Sequence, residues 1–204
     1  LRGLDPKRHL IHSEGILDVL DHSSPTTGYG AKLAIDLTDI DLKRVPASLP
    51  APRTARPVGG VELFNTELTR ETGLLILYAE WEWHETIDVE RYLAENNIEG
   101  IKYVALFDRG AAGHMRASDL LWLAAANTDP RRDIRLFGDV VIIDARSKRP
   151  GYGNNPKRFP NVVTSSTDTI HYVDERWAEY GIGELVESPS RRYRKLWLSE
   201  GAEW

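Results

Sequence analysis

Short apolar runs alternate with amphipathic stretches along most of the chain after residue 60. Runs of strand length lie at 74–81, 101–107, 134–137 and 140–143. Helical periodicity is predicted at 87–97 and 118–127, with Thr86 and Ser118 as the N-caps. Strands that alternate with helices in this way favour βαβ units. The pattern predicts an α/β fold whose mostly parallel sheet has flanking helices in a Rossmann-like three-layer arrangement.

The ends of the chain have a different character from this middle part. Residues 1–45 are rich in strand and turn signals, and we expect them to be the remainder of a first α/β unit, with strands at 9–12 and 32–37. The proline-rich stretch 46–60 is predicted to be a linker or a surface excursion, because its prolines exclude a helix or a central strand. Residues 61–188 are then the second α/β unit.

The second α/β unit is predicted to end with an amphipathic helix. Ile170, Val173, Trp177 and Tyr180 recur at spacings of three and four residues, and Gly181 is a natural residue to end the helix. After it, residues 189–204 combine arginines with aromatic residues. We interpret this segment as a C-terminal docking tail rather than a phosphate-binding one.

An internal repeat is predicted from two pairs of similar segments. Asp5-Pro6-Lys7-Arg8 resembles Asp129-Pro130-Arg131-Arg132, and residues 30–36 parallel residues 138–144. Since a predicted strand and helix precede the second copy, we expect the same before the first, upstream of Leu1. The chain also starts without methionine and reads like the interior of a domain, so we interpret it as the C-terminal part of a longer polypeptide.

Composition excludes several classes of protein. The 204 residues are 41% hydrophobic and 28% charged, which is typical of a folded domain and not of a disordered one. The absence of cysteine excludes disulfides, thiolate zinc sites and a cysteine nucleophile. The net charge of −5 argues against general nucleic-acid binding. The longest apolar runs are far shorter than the roughly 20 residues of a membrane span, so at most peripheral membrane contact is expected.

Most candidate chemical groups are better explained as structural. His9 and His12 would point to opposite faces of a strand and could not share a metal with Glu14. Glu82 and His84 share a face but lack a third ligand at a matching spacing. No metal site is therefore predicted.

A single carboxylate at the end of a predicted strand and two pairs of glycines are weaker candidates for a functional site. Asp108 lies at the carboxyl end of a parallel strand, where α/β sheets place functional groups, but no acidic partner is evident and we expect it to cap the next turn. The Gly110/Gly113 and Gly28/Gly30 pairs lack the third glycine of a dinucleotide fingerprint.

The densest collection of useful polar groups is the segment from Asp21 to Lys32. It contains an imidazole, several hydroxyl groups and a lysine in a loop that leads into a strand. Its residue types alone leave two interpretations open, a solvated connection and a loop that approaches a substrate.

The same segment carries a resemblance to a known family. The chain resembles the C-terminal domain of UbiD-type decarboxylases, the 3-polyprenyl-4-hydroxybenzoate carboxy-lyases and their relatives. The residues that carry the resemblance are Leu4-Asp5-Pro6-Lys7-Arg8, Leu20-Asp21-His22-Ser23-Ser24-Pro25 and Gly28-Tyr29-Gly30-Ala31-Lys32-Leu33-Ala34-Ile35-Asp36. Ala31 stands where the family has serine, and Leu37-Thr38 replaces Ala-Thr. Residues 159–162 and 173–177 resemble the family's closing helix, and Pro189-Ser190 with the tail resembles the long menaquinone-pathway form.

The resemblance implies a cytoplasmic lyase that removes CO₂ non-oxidatively from an aromatic or unsaturated acid in quinone biosynthesis. The family cofactor is prenylated FMN, with a divalent metal and potassium at its phosphate. The domain upstream is expected to bind this cofactor and to supply the catalytic residues, so none of either is assigned to this chain. Its expected roles are to close over the active site and to build a homo-oligomer together with the rest of its own polypeptide.

Particular residues follow from these roles. His22, Ser23, Ser24 and Lys32 are expected to lie next to the substrate. Trp177, Tyr193 and Trp197 are expected at the oligomer interface. The alternative is a non-enzymatic oligomerisation or scaffolding module that uses the same fold, in which the chain has no catalytic partner.

Overall fold

The structure is a computed structural model of the chain. It describes residues 4–38, 40–41, 55–64, 69–70, 73–79, 88–112, 115–151 and 158–197. The chain divides into two compact units, residues 1–159 and 160–204. Most of the predicted linker 46–60 lies outside the described residues, so the four-segment division stays a prediction.

The first compact unit combines an N-terminal hairpin with a five-stranded sheet and short helices. Its helices are α1 (Pro6–His9), α2 (Val89–Glu95), α3 (Arg109–Ala112), α4 (Ala117–Asn127) and α5 (Pro130–Asp133). Its strands are β1 (Leu10–Ile16), β2 (Tyr29–Ile35), β3 (Val61–Leu63), β4 (Leu74–Ala79), β5 (Tyr103–Asp108), β6 (Ile134–Phe137) and β7 (Val140–Asp144). The predicted α/β class is confirmed.

The sheet is mixed, with a parallel centre. Its strand order is β3-β4-β5-β7-β6, in which β4, β5 and β7 run parallel and the outer strands β3 and β6 run antiparallel to their neighbours. All six residues of the central β5 are buried, as expected for a strand covered on both faces. The carboxyl ends of β4, β5 and β7 therefore meet at one edge of the sheet.

Apolar clusters lie against this sheet. The larger one packs α2, through Val89, Tyr92 and Leu93, against strand residues such as Leu75 and Leu106. The smaller one joins Leu4, Tyr103 and Val141, with Leu10 and Ile134 packed against it. This second cluster attaches the start of the N-terminal hairpin to the sheet.

The two Asp-Pro segments adopt the same local structure. Asp5 and Asp129 are the N-caps of α1 and α5, and each side chain accepts a hydrogen bond of 3.0 Å from the backbone N–H two residues later. Proline follows each cap at the first helical position, where its missing N–H costs nothing. Each one-turn helix then leads into an antiparallel hairpin, β1–β2 or β6–β7. A duplicated α/β unit stays a prediction.

Three local predictions were wrong in detail. Residues 9–12 were expected to form a strand, but His9 ends α1 and β1 begins at Leu10. The N-cap of α2 is Asp88, and the predicted cap Thr86 lies outside the described residues. The N-cap of α4 is Arg116, while Ser118 lies inside the first turn.

The second compact unit contains the long amphipathic helix α6 (Thr167–Tyr180), followed by α7 (Ser190–Tyr193) and a 3₁₀ turn (Arg194–Leu196). Ser166 caps α6 by accepting from the Thr169 N–H at 3.0 Å. Gly181 ends it in the left-handed conformation, with φ of 63°, which confirms the role predicted for this glycine. Within the described part of the chain, no helix is long and apolar enough to cross a membrane.

The capping of α4 gives a direct test. Asp119 accepts a hydrogen bond of 2.9 Å from the Arg116 N–H and is buried, whereas Ser118 is exposed. We expect Asp119→Ala to lower the free energy of unfolding by about 1–2 kcal/mol, because an N-terminal N–H of the helix loses its acceptor.

Ser118→Ala is the matched control, and we expect it to change stability by less than about 0.5 kcal/mol. Urea denaturation followed by circular dichroism measures both. Equal losses for the two variants would contradict the capping role of Asp119.

Candidate functional site

The loop between β1 and β2 is held together by its own polar side chains. Asp21 accepts hydrogen bonds from the Ser23 N–H (3.0 Å), the Ser23 hydroxyl (2.5 Å) and the Lys32 ammonium (2.8 Å). Partial burial works to raise the pKa of Asp21, but the hydrogen bonds from Lys32 and Ser23 outweigh it and lower the pKa overall. Asp21 is thus the anionic centre around which this loop folds.

Ser24 performs a second bracing role in the loop. Its hydroxyl lies 2.5 Å from the Tyr29 carbonyl and 2.9 Å from the Thr26 carbonyl, and it accepts from the Thr26 N–H at 3.1 Å. Both Ser23 and Ser24 are buried. Their hydroxyls therefore shape the loop from inside, while the Lys32 side chain remains exposed at its surface.

A close backbone approach fastens this loop to the rest of the unit. A Cβ atom on Gly30 would lie 2.7 Å from Leu17 Cδ1, 2.8 Å from Ser24 Oγ and 2.9 Å from Asp129 Oδ2. Atoms at such distances overlap, so any larger residue here would force these three side chains to shift, and those of Ser24 and Asp129 are buried. Asp129, the cap of α5, is completely buried at this contact, and its Oδ2 has no hydrogen-bond partner among the residues that the structure describes.

His22 connects the loop to the end of α4. Its Nε2 lies 3.4 Å from the Asn127 side-chain oxygen, and its ring meets the Phe159 ring edge-on with centroids 4.8 Å apart. The Asn127 amide in turn donates to the Ala145 carbonyl, just after β7, at 3.1 Å. The imidazole is thereby placed beside the carboxyl end of the sheet.

A buried ionic network lies at that same sheet edge. Asp133 accepts both arms of the Arg132 guanidinium at 2.7 Å, and Asp144 accepts a similar fork from Arg146 at 2.9 and 2.7 Å. Lys148 is 1% exposed and lies 3.7 Å from Asp133 and 3.6 Å from Asp144. Lys148 also donates to the carbonyls of Asp144 and Arg146.

Burial moves the pKa values of this network toward the neutral forms. It raises the pKa of Asp133, against the opposing effect of the Arg132 fork, and it lowers the pKa of Lys148. Asp108, at the end of β5, has a raised pKa for the same reason. Its Oδ2 accepts from the Ser147 N–H at 2.8 Å, so it caps the turn after β7 and not, as expected, the turn after its own strand.

A smaller polar cluster occupies the ends of β4 and β5. The Arg109 guanidinium forms a fork on Glu62 at 2.8 Å and lies over the Tyr78 ring, 4.5 Å from its centroid. The hydrogen bond from Arg109 lowers the pKa of Glu62. Burial raises the pKa of Tyr92, in α2, to about 12, with a further contribution from the Glu62 charge.

The remaining candidate residues are not brought into one site. His9 is buried, and its Nδ1 accepts from the Asp5 N–H at 2.7 Å, while His12 is exposed on β1 and Glu14 pairs with Arg131 at 3.3 Å. Among the residues that the structure describes, no group of His, Asp or Glu side chains is arranged to hold a metal ion. Glu82, His84 and Gly113 lie outside the described residues.

The predicted interface residues are partly buried within the second compact unit. The Trp177 indole donates to the Gly183 carbonyl at 3.0 Å, and the Trp197 indole donates to the Val162 carbonyl at 2.8 Å. Tyr193 accepts from the Arg192 guanidinium at 3.2 Å. These contacts fold the tail back along its own unit, and a role at an oligomer interface stays a prediction.

Sequence reasoning found the loop but missed the ionic network. The available signal was the charge-dense segment from Arg146 to Arg149, directly after a predicted strand, together with Arg132-Asp133 after the second Asp-Pro pair. Burial of these charges could not be seen in the sequence, because charged runs are usually solvated.

No protein-family model matches the chain. It is similar to an uncharacterized protein of Helicobacter pylori, with 25% identity over 182 residues that cover 82% of this chain and 27% of that protein. It is also similar to an uncharacterized protein of Aeropyrum pernix, with 28% identity over 83 residues that cover 32% of this chain and 17% of that protein. The chain therefore spans well under half of the length of these relatives.

The contact at Gly30 predicts a large difference between two glycines that face each other in the hairpin. Gly30→Ala should lower the free energy of unfolding by about 1–3 kcal/mol or more, because the new methyl group overlaps three atoms. Gly15 is its cross-strand partner, and a Cβ there meets nothing within 4 Å. Gly15→Ala should therefore be tolerated in the same denaturation experiment. Similar losses for both glycines would contradict the contact.

The ionic network predicts that removing one buried charge costs far more than removing an exposed one. Asp133→Leu leaves the buried Arg132 without its carboxylate and Lys148 with Asp144 in place of two carboxylates, and we expect a loss of about 3–5 kcal/mol. Asp139, which pairs with Lys7 at 2.8 Å on the surface, is the control, and Asp139→Leu should leave the free energy of unfolding close to that of the wild type, because exposed ion pairs contribute little. Comparable losses in urea denaturation would mean that the network is solvated.

Proposed function

We propose that this chain is the C-terminal domain of a UbiD-type decarboxylase, a carboxy-lyase that acts on an aromatic or unsaturated carboxylic acid in the making of a quinone of the menaquinone kind. In this proposal the domain closes over the active site of a cytoplasmic enzyme and takes part in its homo-oligomer. The domain alone is inactive, because the catalytic groups belong to the rest of the polypeptide.

One observation carries the proposal. Two residues of the resemblance, Ser24 and Gly30, meet Asp129, the cap of α5, in one tightly packed contact. This packing constrains the shape of the loop, which supports the proposal because a loop that approaches a substrate must be held in a fixed geometry.

The loop has the properties that closing over an active site requires. Its inner hydroxyls are buried and fix its shape, while His22 and Lys32 remain as the titratable and cationic groups nearer its surface. Decarboxylation through a cofactor needs a shielded pocket, and a domain that covers the pocket excludes water. We assign His22 and Lys32 to the positioning of the substrate carboxylate or the pocket wall.

The cofactor implied by the resemblance is not assigned to the described residues. Prenylated FMN with a divalent metal and potassium would need carboxylate or imidazole ligands grouped together, and the described residues offer no such group. In the proposal, that site belongs to the upstream domain. The chain's own contribution is the placement of the loop side chains.

Two finer features of the fold belong to the same proposal. The helices are placed on both faces of the sheet in a Rossmann-like arrangement, and the two Asp-Pro segments mark an internal repeat. The shared cap geometry of α1 and α5 supports the repeat.

The second candidate is a non-enzymatic scaffolding module. Exposed apolar side chains on the N-terminal hairpin, among them Ile11, Ile16 and Tyr29, favour it, because such surfaces commonly bind other proteins. The two candidates differ in whether the native polypeptide binds a modified flavin.

The deciding experiment uses the native full-length polypeptide, purified from its source. We expect it to absorb as a modified flavin and to release CO₂ from aromatic acids. His22→Ala and Lys32→Ala should lower turnover by roughly 10- to 100-fold, because misplaced loop groups spoil the geometry at the substrate. Circular dichroism checks the folding of both variants, because Lys32 pairs with Asp21 and His22 contacts Asn127 and Phe159.

Matched controls exist for both variants. Lys7, like Lys32, is 64% exposed and holds one carboxylate at 2.8 Å, and His171 is an exposed histidine on α6, outside the loop. Lys7→Ala and His171→Ala should keep wild-type turnover. A polypeptide without flavin would favour the scaffolding module, and wild-type turnover in the His22 and Lys32 variants would remove the site assignment.

A further inference from the structure

The outer edge of β1 is free in the part of the chain that the structure describes. β1 and β2 form a two-stranded sheet by themselves, and no other described strand pairs with either of them. Two-stranded hairpins are marginal alone, and long unprotected edges tend to pair with another strand. β1 is seven residues long and contains no proline or lysine that would block such pairing.

The hydrogen-bond pattern shows which backbone groups face that edge. Asp36 N–H donates to the His9 carbonyl at 2.8 Å, and Leu17 N–H donates to the Gly28 carbonyl at 3.0 Å. In an antiparallel ladder, alternate residues bond to the same neighbour. The odd-numbered residues of β1 therefore bond to β2, and the N–H and C=O groups of His12, Glu14 and Ile16 point to the free edge.

We propose that a second copy of this chain pairs antiparallel with β1 across a two-fold axis at Ser13. The axis places His12 opposite Glu14 of the other copy and Glu14 opposite His12 of the other copy. Two pairs of complementary side chains therefore face each other. Shifting the register by two residues would place Glu14 opposite Glu14 or His12 opposite His12, which like charges disfavour. The same register pairs the even-numbered residues, whose backbone groups are the free ones.

Apolar side chains at both ends of the strand fit the same register. Ile16 would lie beside Leu10 of the other copy, on the face that also carries Tyr29 and Ile35. Each end of the four-stranded sheet would then have an apolar row of four side chains. Ile16 is 92% exposed, and Tyr29 and Ile35 are each 42% exposed. Pairing of the two strands would therefore bury apolar side chains that are exposed in the single chain.

A cysteine scan tests the axis directly, because the chain contains no cysteine of its own. Residues at the axis form a non-hydrogen-bonded pair with Cα atoms about 4.5 Å apart, close enough for a disulfide. Ser13→Cys should form a covalent dimer of twice the 23.1 kDa mass under mild oxidation. Ile11→Cys is the control, since its two copies would be roughly 13 Å apart and should not join.

Changing the charge of a side chain in the strand tests the register without a covalent cross-link. His12→Glu alone should shift the sedimentation equilibrium toward the monomer, because the new carboxylate would face the Glu14 carboxylate of the other copy. His12→Lys is the matched control and should keep the dimer, because a cation then faces Glu14 of the other copy and the Glu14–Arg131 pair within each chain is left intact. A monomeric wild type, or joining of Ile11→Cys as readily as Ser13→Cys, would overturn the proposal.

This pairing deepens the oligomeric part of the proposed function and is independent of its chemistry. Flavin content and CO₂ release test the decarboxylase, whereas cross-linking and mass test the edge. A negative result in one of these two sets of measurements leaves the other set interpretable.

Discussion

The buried carboxylate of Asp129 is the point on which the first compact unit depends. It caps α5 by accepting from the Arg131 N–H, and its other oxygen closes against Gly30 on β2. One residue thus joins the sheet with its β6–β7 hairpin to the N-terminal hairpin and its loop. Because a buried, poorly compensated oxygen is costly, the surrounding packing must hold it in place. The loop containing His22 inherits its position from this contact, and any function of the loop does so as well.

Most strands and helices could be predicted because the spacing of their apolar residues is regular. β5 reads as a continuous apolar run, and α6 shows regular spacing from Ile170 to Tyr180. Element ends were less predictable. Ser118 has the residue type of a cap, but Asp119 accepts the N-terminal N–H instead, and His9 belongs to a helix because Asp5 and Pro6 start one just before it. These helix ends are determined by local capping geometry, which cannot be predicted from the spacing of apolar residues.

The candidate site was only half visible in the sequence. The polar loop from Asp21 to Lys32 was recognisable from residue types, whereas the network of Arg132, Asp133 and Lys148 was not. Its members come from α5 and from the segment that follows β7, which the antiparallel pairing of β6 with β7 brings together. The burial that gives the network its character arises from tertiary structure.

The ionic network also bears on how the protein responds to heat. The cost of removing charges from water falls as temperature rises, because the hydration of ions is entropically unfavourable, while the gain from burying apolar surface levels off. The Arg132–Asp133 and Arg146–Asp144 forks therefore take a growing share in holding the sheet edge as the temperature increases, relative to the apolar cluster around α2. The carboxyl edge of the sheet is expected to be the last part of the first compact unit to loosen on warming, and the hairpin β1–β2, with little apolar cover, the first.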